Sequence, residues 1–87
     1  MNSINGFRVF GTAVGSDQSI QLDEIVIAAD PETIRAIGTF LTNAAYEMEQ
    51  NKRLHVHLQD AIANFSYEEH VDIIAHVGSD VPRAVNA

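Results

Sequence analysis

The alternation of apolar and polar positions divides the chain into five segments. "FRVFGTAV", residues 7 to 14, is β-branched and aromatic and predicts a strand. Gly15 to Gln18 reads as a turn, and "SIQLDEIVIAA" resumes the strand pattern through residue 29, so a hairpin is expected. The second strand changes phase. Ile20 and Leu22 share one parity, Ile25 and Ile27 the other, and a bulge near Asp23–Glu24 would bring both pairs to one face.

The third segment has helical spacing. Ile34, Ile37, Leu41, Ala44, Ala45 and Met48 form one stripe. Asp30 suits the N-cap, Pro31 the first helical position and Glu32 the positive end of the dipole. Lys52 and Arg53 suit the other end. Gly38, at the edge of the stripe, would let a sheet approach closely. A helix of about 20 residues is predicted, with Tyr46 on its outer side beside Thr39, Asn43 and Gln50.

The fourth segment is "LHVHLQD", where Leu54, Val56 and Leu58 alternate with His55, His57 and Gln59. The fifth is "HVDIIAHV", where Val71, Ile73, Ala75 and Val77 alternate with His70, Asp72, Ile74 and His76. Between them "AIANFSYEE" reads as a connection with a short helical turn, in which Phe65 is expected in the core. The order β-β-α-β-β predicts an α+β fold of two layers, one amphipathic helix on a mostly antiparallel four-stranded sheet. A single domain is expected over 1–77, with a flexible tail over 78–87.

Pairing the last two strands antiparallel, with both apolar faces toward the helix, requires residue numbers that sum to 131 or 133. His76 then lies opposite His55 or His57, and all three histidines share the face away from the helix, with Asp72 nearby. Residues two apart on a strand are about 6.6–7 Å apart and cross-strand Cβ atoms about 4.5–5.5 Å, so three imidazoles come within reach of one another. Three readings follow: a wet polar face, a partner contact, or a metal site of His55, His57 and His76. A catalytic zinc centre would need covering and second-shell support that a flat sheet face does not itself supply. No nucleophile–base–orienter set is apparent, and the four-residue spacing of Gly11 and Gly15 is not followed by the Lys-Ser/Thr of a phosphate loop, so the chain reads as a non-enzyme without a cofactor.

Charge and cysteine usage narrow the picture. Twelve acidic and five basic residues give a net charge of −7. This disfavours nucleic acid and favours steering toward basic partners. The absence of cysteine removes disulfides and thiolate metal sites and suits a reducing compartment. No apolar run is long enough to span a bilayer, so a cytoplasmic location without membrane attachment is expected.

The phrases "AADPETIRAIGTFL", "AAYEME", "HVHLQD" and "VDIIAHV" together resemble a family of bacterial immunity proteins from polymorphic toxin systems, the group numbered thirty-two in that series. The resemblance covers roughly residues 22 to 77 and carries no catalytic motif. It implies a non-enzymatic inhibitor that binds a toxin encoded beside it, with His55, His57, Leu58 and Asp60 as the matching positions. The short link between helix and third strand and the polar tail depart from the pattern. Candidate partner-binding residues are therefore His55, His57, Asp60, Asp72, His76 and Tyr46, with a cognate, basic toxin as the expected partner and a homodimer as the alternative.

Overall fold

The computed structural model describes residues 3–78. They form an α+β fold with the element order β1 (Val9–Gly11), β2 (Ile20–Leu22), α1 (Pro31–Gln50), β3 (His55–His57), α2 (Leu58–Ala61) and β4 (Ile74–His76). The expected four-stranded sheet is not seen; the strands pair as two separate antiparallel ladders, β1 with β2 and β3 with β4. Residues 3–27 and residues 28–78 cluster as two compact units. The tail proposed from the sequence lies, beyond Gly78, outside the described residues.

In the first unit Val9 pairs with Leu22 and Gly11 with Ile20. Gly15 occupies the left-handed region at φ 85°, and the Ser16 amide donates to the Ala13 carbonyl at 2.9 Å, closing the turn. Gly11 matters through its packing against Leu22 rather than through its φ. A Cβ there would meet Leu22 Cδ1 at 3.1 Å across the ladder. The strand is shorter than its pattern. Pairing stops at Leu22 with a bend at Asp23, so no bulge restores the phase, and Ile25, Val26 and Ile27 lie in exposed extended chain. A ladder that would have turned alternate apolar pairs to opposite faces simply ends where the phase changes.

The second unit is built on α1. Its N-cap is as the sequence predicts: the Thr33 amide donates to Asp30 Oδ1 at 2.8 Å, and Pro31 occupies the first turn. This bond, followed by a side-chain bond from Thr33, holds the Asp30 carboxyl below its ordinary value. At the other end the Asn51 amide and the Arg53 amide both donate to the Glu47 carbonyl, and Lys52 takes a left-handed φ of 58°. Lys52 and Arg53 thus lie past the helix, yet still serve it. Lys52 Nζ reaches the Glu49 carbonyl at 3.2 Å and Arg53 the Glu47 carboxylate at 3.8 Å.

The buried face of α1 differs from the expected stripe. Phe40 and Ala44 are buried with Leu58, and Val56, Ile62, Ile73 and Ala75 pack against them. Ile37 and Met48 are half-buried, whereas Ile34, Leu41 and Ala45 are exposed. At about 100° per residue, Phe40 lies on one side of Ile37 and Leu41 on the other. The apolar arc is wider than one sheet covers, and β3–β4 takes the Phe40 side. Gly38 permits no close approach: a Cβ at this position would meet nothing within 4 Å.

Candidate functional site

The β3–β4 ladder pairs His55 with His76, Val56 with Ala75 and His57 with Ile74, the register whose numbers sum to 131. The Leu58 amide to the Ile73 carbonyl (2.8 Å) and the Val77 amide to the Leu54 carbonyl (2.9 Å) extend it by one bond at each end. Val56 and Ala75 point to the helix because Phe40 and Ala44 offer them an apolar surface. Period-two alternation then sends His55, His57, Ile74 and His76 to the opposite face.

The three histidines come together there. The His55 ring stands edge-on to His57 with centroids 5.3 Å apart, and stacks on His76 at 5.9 Å with planes 20° apart. Asp72 anchors the group. One carboxylate oxygen accepts from His57 Nδ1 at 2.8 Å and the other from the Gln59 amide at 2.9 Å. Asp72 has a side-chain exposure of 13%, against 32% for His57, so the pair is partly shielded from water. His76 Nδ1 lies 3.0 Å from the Val77 carbonyl. Carboxylate and carbonyl oxygens only accept, so Nδ1 of both His57 and His76 carries a proton and, in the neutral ring, Nε2 carries the free lone pair. Among the described residues no three His, Cys, Asp or Glu side chains stand so that they could hold a metal ion.

The other candidates lie elsewhere. Asp60 is exposed in the helical turn after β3. Tyr46 is 60% exposed on α1, on the side the sequence assigned to it. His70 is not on the histidine face. Its Nδ1 accepts from the Ser66 amide at 3.1 Å, the opposite tautomer to His57, and its ring stacks on Phe65 at 5.6 Å. Phe65 is half-buried.

Two expectations about the apolar side are corrected. Leu54 is 57% exposed and is not among the side chains packed on the core, because β3 begins only at His55. Val71 is 77% exposed: β4 begins only at Ile74, and the alternation that still brings Ile73 to the core does not reach back to Val71. Sequence reading missed two participants. Phe40 lies outside the predicted stripe, although its spacing of four from the buried Ala44 marks it as a core position. Gln59 is in the alternating pattern only a polar position, but its amide holds Asp72, and its side-chain oxygen accepts from the Tyr67 hydroxyl.

No protein-family model matches this chain, and no curated protein or solved structure matches it either. Among the described residues no helix is long and apolar enough to cross a membrane.

Proposed function

We propose that this chain is a non-enzymatic binding protein, an immunity protein that neutralises a cognate bacterial toxin of basic character. The observation that carries the reading is charge: eight acidic and only three basic side chains fall in residues 28–78, within a chain of net charge −7. Such a surface accelerates encounter with a positively charged partner and repels a second copy of itself. The resemblance of residues 22–77 to the immunity family supplies the kind of partner, and the open face bearing His55, His57, Asp72 and His76 supplies ordered polar groups for its recognition. Tyr46 on α1, and Asp60 in the turn after β3, extend the candidate surface.

The test is titration of the toxin domain encoded beside this chain, by calorimetry and by stopped-flow association. Saturable binding is expected, with an association rate that falls steeply between low and physiological salt. Absence of binding at micromolar concentrations of both proteins would overturn the reading.

A further inference from the structure

We propose that His55, His57 and His76 form a binding site for one divalent transition-metal ion of the zinc, nickel or copper class. Three observations carry it independently of the toxin-binding reading.

The first is spacing. An imidazole nitrogen lies about 2.0–2.1 Å from a bound zinc, so two rings on one tetrahedral ion have centroids about 5 Å apart. His55 stands edge-on to His57 at 5.3 Å, close to that spacing; it stacks on His76 at 5.9 Å with planes 20° apart, so it must turn out of that stack before both rings can bind one ion, which lies in the plane of each ring it binds.

The second is the state of the rings. A metal-ligating histidine donates its other ring N–H to a carboxylate or a backbone carbonyl, which fixes its tautomer and orientation. His57 makes that bond to Asp72, and His76 makes it to the Val77 carbonyl. Both present Nε2, the ligating lone pair. Asp72 is in turn fixed by the Gln59 amide, so the support for His57 is two bonds deep. His70 offers the contrast: its Nδ1 accepts from Ser66, and it lies off this face.

The third is adjustability. His57 and His76 are tethered, whereas the His55 side chain makes no hydrogen bond among the described residues and is exposed. As they stand, the three side chains are not placed to hold a metal ion, so side-chain movement is part of the proposal. Closure needs the His55 ring to rotate out of its stack on His76, about torsions that no hydrogen bond among the described residues restrains. Imidazole nitrogen is a donor suited to zinc, copper and nickel rather than to magnesium or calcium, which prefer oxygen. Three protein ligands leave a fourth position for water or for a group from a partner.

The experiment uses the tag-free full chain, titrated with zinc chloride and separately with nickel chloride by calorimetry, with melting temperature as a second readout. Saturable binding of one ion per chain is expected, with a melting temperature that rises with metal concentration. His55→Ala and His76→Ala should each weaken binding at least tenfold, and His70→Ala should leave it unchanged. Asp72 acts as a positioning residue. Asp72→Asn should weaken the metal about 10–100-fold while circular dichroism without metal stays as in the parent. If Asp72→Asn unfolds the chain, the His55 and His76 variants decide, since both residues are exposed. No saturable binding, or an equal loss in His70→Ala, would overturn the proposal.

Discussion

Residues 3–27 and residues 28–78 each contain an antiparallel ladder of three residue pairs, yet they are held by different physics. The ladder of the second unit has an apolar underside, where Phe40, Ala44 and Leu58 are buried and four further side chains pack on them. The first ladder has none: no residue between 3 and 27 is buried, and its apolar Ile20, Ile25, Val26 and Ile27 are exposed. Ladder hydrogen bonds exchange water partners for protein partners at little net gain. Removal of apolar surface from water supplies most of the stability. The second unit therefore has its own source of stability, and the first has only its turn and its pairing.

The sharpest way to break this comparison is to hollow the core of the second unit. Phe40 is 5% exposed, and Phe40→Ala should cost about 3–4 kcal/mol in urea unfolding followed by far-ultraviolet dichroism. Leu58, 7% exposed, should cost about 2–3 kcal/mol on the same change. The counterpart in the first unit, Val26→Ser in the exposed chain after β2, should stay within about 0.5 kcal/mol. Equal losses in the two units would end the distinction.

Hydrogen exchange sharpens it without mutation. Amides in the middle of α1 should be protected far longer than those of β1 and β2, because exchange there requires opening of the core. Equal protection would show that the hairpin shares that core.

Smaller effects are expected on α1 itself. Gly38 sits in mid-helix with open space where a Cβ would stand, so Gly38→Ala should stabilise by about 0.5–1 kcal/mol, seen as a raised melting temperature. Loss of stability would mean that the glycine serves an approach by another surface.

The smallest is the acid response of the N-cap. The Asp30 carboxyl is held below its ordinary value by the Thr33 amide. A carboxyl depressed on folding contributes stability that is present above its unfolded value, about 3.9, and lost as pH falls through the lower folded value. Thermal melts between pH 5 and about pH 2 should therefore show a decline that Asp30→Ala lacks. A variant with an unaltered acid response would remove the cap from the account.

The sequence by itself determined what depends on near neighbours. Asp30, Pro31 and Thr33 lie within one turn, so the helix start was legible to the residue, as was the hairpin turn at Gly15; alternation narrowed the pairing of His76 to His55 or His57, and the fold chose His55. The α+β class followed from the same periodicities. Only the tertiary structure decided which flank of a wide apolar arc is covered, and it chose Phe40 over Leu41. It also decided where strands stop. Leu22 ends β2 and Ile74 begins β4, because a strand continues only while a partner backbone lies alongside, and no single segment records that. The histidine face shows both sides of this division. Alternation placed His55, His57 and His76 together, but the Asp72 and Val77 bonds that fix two of their rings needed the chain to fold back on itself. Long-range contacts are set by which surfaces meet, and periodicity limits those surfaces without naming them.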